Sequence, residues 1–536
     1  MTIETDVLIV GAGPVGLALA IELGQRGVRA LVVERNDRGG VAPRAKTTNV
    51  RTRTHFRRWG IADKLADAAP FGIDYPNNMV FATRMTGHEL ARFENAFNAS
   101  PERDDRYPEH AQWIPQYTVE KIMLERAREL SGIEIRFGVE FQRTEQDDEK
   151  VISTVIGSDG QEETVESSYL VGADGSRSTV RELIGAQMVG RSGLSHHYNI
   201  IFRAPGWSDA HDLGPAAIYW LIGREGGSAL GPMDRGDIWF FGPGGAKPGH
   251  SLAKDEAAAL IHGRTGIDLP VEVLSADSWT ASVLLADKYA EGRIFLAGDA
   301  CHLHPPAGGY GMNMGVGDGV DLGWKIAATL QGWGGPGLLQ HYDTERRQMH
   351  QSLIDEAMAN YASYVEPPFS QIEDETPEGD AIRAKVGNTI QATKGREFHT
   401  LGAVLGLCYD SPLIDGEEGA EPDFDATVYN PSARPGCLAP HAWLPDGRSL
   451  YDTFGADFTL LVSSTADSAE IAAAEKDAQN LGIPLKVIRA EGIDIDALYE
   501  ASLTLIRPDQ HVAWRGNRWQ SVLTKTSGTS DAAVEA

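Results

Sequence analysis

Gly11-Ala12-Gly13-Pro14-Val15-Gly16 has the G-x-G-x-x-G spacing that cradles a pyrophosphate. The apolar run Val7–Val10 before it reads as a buried parallel strand, and Leu17–Arg26 after it as a helix. In that setting Gly11 permits the tight turn, Gly13 lets the backbone approach a phosphate, and Gly16 lets helix and strand pack closely. Pro14 belongs to the same cradle, and the unpaired N–H groups at the helix start attract the phosphates. Ala30–Glu34 reads as the next strand; Glu34 at its end, with Arg35 beside it, is placed to accept from both hydroxyls of a ribose. The chemistry is dinucleotide binding, and this motif alone does not separate one dinucleotide from another.

Two later segments narrow the choice. In Tyr169-Leu-Val-Gly-Ala-Asp174-Gly175-Ser-Arg177-Ser178, a strand over Glu166–Val171 ends in a turn, and Ser178 caps a helix running to Leu183. In Gly292-Arg-Ile-Phe-Leu-Ala-Gly298-Asp299, a buried strand ends at an acid placed to accept from polyol hydroxyls. The glycine-rich stretch Pro305-Pro306-Ala-Gly308-Gly309-Tyr310-Gly311-Met312-Asn313 then opens a helix over Asn313–Leu330.

In this order and spacing the three segments resemble the FAD-dependent aromatic hydroxylases. The resemblance implies that Asp174, Gly175 and Arg177 lie beside the flavin and the nicotinamide path. It places Gly298 and Asp299 at the ribityl chain, and Arg44 and Gln116 in contact with the cofactor. Pro306, Gly309, Gly311, Met312 and Asn313 fall at the pyrimidine edge, where helix-start N–H groups stabilise negative charge on reduced flavin. A second nucleotide fold and a redox cysteine pair, both expected in a pyridine-nucleotide disulfide reductase, are not visible in the sequence. NADPH or NADH is therefore expected to dock transiently. Arg35 and Arg44 are assigned to FAD, and the choice between the two nicotinamides stays open. The implied reaction is monooxygenation: NAD(P)H reduces FAD, O₂ adds, and a flavin hydroperoxide hydroxylates an electron-rich ring. The chemistry belongs to the cofactor, while the protein orients the substrate and excludes water.

Such a reaction wants a group that deprotonates or hydrogen-bonds a phenol. Lys46, in Pro43-Arg44-Ala45-Lys46-Thr47-Thr48-Asn49, falls where some phenol hydroxylases carry Asp or His. A desolvated lysine can act as a base; as a cation it holds a phenolate or carboxylate; a solvated surface lysine is the bland alternative. His302 reads as structural and His304 as facing the pocket. Lys46, His304 and Tyr219 are the candidate catalytic residues, and Tyr219, Trp220, Trp239 and Phe241 the candidate walls of a phenol pocket. No metal site is expected.

These residues have to be positioned by several domains, since 536 residues exceed one core. The fold class expected is α/β. A discontinuous Rossmann-like FAD-binding domain of glutathione reductase type takes 1–75, 114–185 and 286–395, and a mixed-sheet substrate domain takes 76–113 and 186–285. Strands in the latter include Tyr198–Arg203, Ala217–Ile222 and Asp237–Phe241, and 365–380 reads as a linker or surface loop. Residues 396–536 resemble the thioredoxin-like third domain of phenol hydroxylases, ending in the Arg507-Pro508-Asp509-Gln510-His511-Val-Ala-Trp-Arg515 motif. Without C-x-x-C it does no thiol redox work; the resemblance implies a structural role and a homodimer.

A balance of 48 basic against 76 acidic residues gives −28, which repels nucleic acid and anionic membrane, so neither is expected as a partner. Apolar runs fall short of a membrane span, and no secretory signal is visible. Cys301, Cys408 and Cys437 are widely spaced, so neither a disulfide nor a zinc site is expected and a reducing cytoplasm fits. The partner is then a small aromatic or polycyclic phenolic molecule. Two alternatives stand beside aromatic hydroxylation: Baeyer–Villiger or epoxidation chemistry on a polyketide or terpenoid with the same fold, and a flavin-binding protein without turnover.

Overall fold

Val7–Val10 is apolar at every position, so it can be buried on both faces, and it forms the middle of a six-stranded sheet. The computed structural model describes residues 2–37, 46–247, 250–363, 369–417 and 424–529. In this dinucleotide sheet the strands run Ala290–Glu291, Ile294–Leu296, Tyr169–Gly172, Val7–Val10, Ala30–Glu34 and Ile133–Phe137. All pairs are parallel except the first, and Val7 stands opposite both Tyr169 and Ala30.

The Pro14–Gln25 helix packs on the Gly311–Leu330 helix at very short range. A Cβ on Gly319 would lie 2.9 Å from the Leu19 backbone nitrogen, and one on Gly323 2.5 Å from Glu22 Cβ. Glycines four residues apart share one helix face, so this stripe is what brings the two helix starts together.

The second sheet roofs the first. Its eight strands run His302–Leu303, Glu272–Ala286, Met188–Arg203, Ile238–Pro243, Gly226–Asp234, Ile218–Gly223, Met79–Ala82 and Glu89–Phe93. The Lys254–Thr265 helix covers one face through Ala257 and Ile261. On the other, Phe398 at the end of the Pro377–Phe398 helix packs with Phe81 and Phe93.

The C-terminal sheet runs Leu485–Arg489, Phe458–Val462, Leu503–Ile506 and Val512–Gly516, with only the first pair parallel. With the Ser468–Leu481 helix this is the thioredoxin-like arrangement. No helix among the described residues is long and apolar enough to cross a membrane.

Several local expectations change. The strand expected over Glu166–Val171 is two strands in different sheets, Glu162–Ser167 and Tyr169–Gly172, because the Ser168 N–H turns to Asp6 O (3.0 Å). Asp237 has φ +60 and belongs to a turn, so its strand starts at Ile238. The glycine-rich helix starts two residues early, at Gly311. Of the 365–380 stretch, 365–368 lie outside the described residues, and Thr376 caps a helix beginning at Pro377.

Cys408 and Cys437 are joined in a disulfide, contrary to the expectation from their spacing. A separation of 29 residues does not keep them apart, because Tyr409 N donates to Gly436 O (2.9 Å) and lays the two segments side by side. With this pair bonded, cysteine spacing no longer points to a reducing compartment.

Candidate active site

The dinucleotide cradle has the geometry its glycines require. Gly11 adopts φ +107 and would place a Cβ 2.3 Å from Ala173 O, while a Cβ on Gly16 would meet Gly11 O at 2.0 Å. Glu34 is half-buried at its strand end, with Oε2 accepting from Ala12 N (3.1 Å) and Oε1 from Asn36 N (3.0 Å). Arg35 beside it is exposed. Arg44 lies outside the described residues.

The second segment adds a carboxylate. Asp174 Oδ2 accepts from Val180 N (3.2 Å), whereas Oδ1 is buried without a protein partner. Burial pushes its carboxyl upward. Gly175 has φ +80, Ser178 caps the following helix by accepting from Arg181 N (2.9 Å), and Arg177 is exposed.

In the third segment, Gly298 with φ +65 turns the chain into the half-buried Asp299. The turn is held from beneath by Asp318, which accepts from Gly298 N (2.9 Å), His302 Nε2 (3.1 Å), Arg346 Nε (2.8 Å) and His350 Nε2 (2.8 Å). Burial opposes ionisation of Asp318, but His350 and Arg346 hold its carboxyl well below the usual range. His302 is thus buried beneath the turn, with its Nε2 on Asp318. Cys301 joins His302, Asp318 and His350 in a buried cluster, but a guanidinium already sits on the carboxylate.

Pro306 O accepts from Gly309 N (3.0 Å), and the helix opens after Tyr310 at Gly311 and Met312. The first N–H groups of a helix have no partner within it. Asn313 binds this start to the strand after Lys46: its Oδ1 accepts from Asn49 N (3.0 Å), and its Nδ2 donates to Thr47 O (3.0 Å) and Gly309 O (2.8 Å). Gln116 begins the Gln116–Arg128 helix and donates to Glu120 Oε1 (2.9 Å).

These features fit FAD. Side chains in the cradle would collide with backbone, so phosphate can approach. Asp174 presents an unpartnered buried oxygen, and a helix start offers N–H groups to an anionic ring edge.

Above this floor, Lys46 reaches into the roof sheet. Its Nζ donates to Ala217 O (2.7 Å) and Pro232 O (3.4 Å), and sits 4.1 Å from the Phe240 ring centre and 5.1 Å from that of Trp113. Its ammonium end is enclosed, and burial pushes its pKa well below the ordinary lysine value. His304 lies against the helix start, where a Cβ on Gly311 would be 3.5 Å from its Nε2. Its Nδ1 donates to Pro305 O (2.7 Å), leaving Nε2 a buried acceptor without a partner, and burial lowers its pKa to about 4.

The aromatic residues of the roof divide between its two faces. Tyr219, Trp239 and Phe241 are buried with Phe202 and Trp207 in the core beneath the Lys254–Thr265 helix. The Tyr219 hydroxyl is already donated to Gly214 O (2.5 Å). Trp220 takes the opposite face, stacked on Phe81, and its Nε1 is buried without a partner. Strand alternation separates Tyr219 from Trp220, and puts Phe240 rather than Trp239 or Phe241 beside Lys46. Phe240, Trp113 and the two carbonyls are neighbours of Lys46 that the sequence reading missed. The alternation could have singled out Phe240, whereas the carbonyls leave no sequence signal.

Comparison with known proteins agrees with this architecture. Residues 4–357 match the FAD binding domain family, and residues 432–533 match the aromatic-ring hydroxylase C-terminal family. The chain is 30% identical to 2,4-dichlorophenol 6-monooxygenase of Delftia acidovorans over 97% of this chain and 96% of that one. It is 32% identical to aklavinone 12-hydroxylase of Streptomyces purpurascens over 96% and 95% of the two chains. The solved structure of the rebeccamycin biosynthetic enzyme RebC with reduced flavin superposes with a TM-score of 0.90 at 34% identity, covering 99% of this chain and 100% of that one. Likeness that runs the whole length of both partners in each comparison makes this chain a member of the FAD-dependent aromatic-ring hydroxylases, flavoprotein monooxygenases that use NAD(P)H and O₂.

Proposed function

We propose that the protein hydroxylates a phenolic ring, alone or within a polycyclic substrate, and that Lys46 is the group that activates the phenol. The observation carrying this reading is the setting of the Lys46 Nζ, enclosed between two carbonyls and two aromatic rings where the floor meets the roof. When bound and reduced by NAD(P)H, FAD would activate O₂, one atom of which goes to the ring and the other to water.

The protein's part is orientation and proton handling. Two N–H groups of Lys46 are directed at Ala217 O and Pro232 O, which fixes the amine and leaves its remaining position for a substrate hydroxyl. Burial favours the neutral amine, which can take the phenol proton. The ammonium so formed then holds the phenolate, whose ring is richer in electrons. Phe240 and Trp113 give an apolar setting that excludes water. His304 Nε2 offers a second acceptor beside the helix start.

Relatives acting on a chlorophenol and on aklavinone support the phenolic class without choosing ring size. A homodimer, expected from the family resemblance, and a cytoplasmic location, expected from the lack of a visible secretory signal, belong to the same reading; light scattering on the holoprotein checks the first.

The test is Lys46→Met in the FAD-loaded protein, assayed with a panel of phenols, aromatic acids and polycyclic quinones. FAD should stay bound and reducible, while product heavier by one oxygen falls by about 10²-fold, within the span of general-base contributions. H₂O₂ should rise in its place. Unchanged coupling in Lys46→Met would remove the lysine from this role.

A further inference from the structure

The Arg507–His511 motif is joined to the floor of the active site by a closed series of contacts. Arg507 is fully buried and donates to Glu345 Oε1 (2.8 Å) and Oε2 (2.8 Å), to Asp321 Oδ1 (3.2 Å) and to Asp509 Oδ2 (2.8 Å). Asp321 lies on the Gly311–Leu330 helix, about two turns beyond Asn313. Lys325 from the same helix completes the cluster, with Nζ on Asp321 Oδ2 (2.8 Å) and Glu345 Oε2 (2.6 Å).

The other end of the motif holds a different helix. Arg51, in the first turn of the Val50–Arg58 helix, donates to Gln510 Oε1 (2.5 Å) and to Asp509 O (2.5 Å). Asn49 caps that helix by accepting from Thr52 N (2.9 Å), and its own N–H returns to Asn313 Oδ1 (3.0 Å). The circuit therefore runs Arg507, Asp321, Asn313, Asn49, Arg51, Gln510 and back along the chain to Arg507. Asn49, Arg51, Asn313, Asp321 and Asp509 all line one cavity of about 90 Å³. The two helices share an apolar core away from this void, through Phe56 and Val316, whereas beside the void no packing sets their spacing and the polar circuit around it does.

We propose that the 507–511 motif is a positioning element for the flavin site. Through Gln510–Arg51 and Arg507–Asp321 it sets the segment from Lys46 to Asn49, with its Thr47–Thr48 strand, against the helix start at Gly311. This rests on the reading above, in which that helix start meets the flavin's pyrimidine edge and Lys46 meets the substrate. Gln510 touches neither; it acts through Arg51. A helix start displaced from the ring edge stabilises reduced flavin less.

The experiment compares Gln510→Ala with Gln510→Glu in the full-length, FAD-loaded protein. Neither substitution adds a burden at the φ of +71 that Gln510 already tolerates, and Glu keeps an acceptor for Arg51. Gln510→Ala should retain FAD but shift the visible flavin spectrum, make the flavin midpoint potential more negative, and lower product formed per NAD(P)H several-fold. Gln510→Glu should restore all three. Parental spectrum, potential and coupling in Gln510→Ala overturn the proposal even if the protein melts earlier, as does equal impairment in both variants. Should Gln510→Ala fail to fold, Arg51→Lys, which keeps the charge but loses the forked donor, should give the same shifts, and parental values there also overturn it. The spectrum and potential are read without substrate, so failure of the Lys46 reading and failure of this one are told apart.

Discussion

Lys46 and His304 are both polar side chains whose burial disfavours the charged form, and in His304 that bias has a measurable effect on stability. Its pKa falls from 6.5 to about 4 in the folded protein. Between those values the unfolded chain binds more protons than the folded one, so the folded state is favoured fully above 6.5 and loses ground as pH falls towards about 4. The loss is about 1.4 kcal/mol per pH unit from this residue. Buried His55, and His350 at about 3, act in the same direction, so the parent alone cannot isolate His304. The urea midpoint measured at several pH values between 7 and 5 should fall less steeply in His304→Gln than in the parent. Identical slopes would mean that His304 takes up its proton normally in the folded state.

At the scale of elements, the contact between the Pro14–Gln25 and Gly311–Leu330 helices is decided by missing side chains. Gly319→Ala improves helix propensity by about 1 kcal/mol. The new Cβ, however, would sit 2.9 Å from Leu19 N and 3.0 Å from Val15 O, backbone atoms that cannot rotate away. The clash should win, with a net destabilisation of about 1–3 kcal/mol and weaker FAD binding, read by denaturation and by flavin fluorescence. A variant as stable as the parent would show that the helices can separate freely. The three cofactor segments were legible in the sequence because each is local: an apolar run, a glycine turn and a helix start follow one another directly along the chain. Facing in the roof was not. Tyr219 and Trp220 are neighbours with opposite fates, and the register shift between Pro232 and Asp234 moves the pairing with the Ile238–Pro243 strand. The link between Cys408 and Cys437, and that between Arg51 and Gln510, join segments that only the folded chain brings together.

At the scale of the molecule, the C-terminal unit shares a core with the flavin unit. Trp324 and Leu338 from the flavin-side helices, and Trp333 from the link between them, pack with Phe458, Leu460 and Trp514 of the C-terminal sheet. The Phe458 ring centre lies 6.3 Å from that of Trp324 and 5.9 Å from that of Trp333, both edge-on. Polar contacts reinforce the junction: Arg57 pairs with Asp452 (2.8 Å), and Trp443 Nε1 donates to Asp104 O (2.8 Å). A shared core does not melt in halves, since opening either unit exposes apolar surface of the other. Heating should therefore give one transition, with loss of tryptophan packing and release of FAD at the same temperature. Phe458→Ala removes a fully buried ring and should cost about 3–5 kcal/mol. If the core is common to both units, that substitution, made on the sheet farthest along the chain from the glycine cradle, lowers the temperature of FAD release as much as it lowers the tryptophan transition. A flavin release temperature that stays at the parental value while the C-terminal unit melts early would mean that the two units are separately stable, and would leave the Arg507 cluster as a surface contact between independent domains.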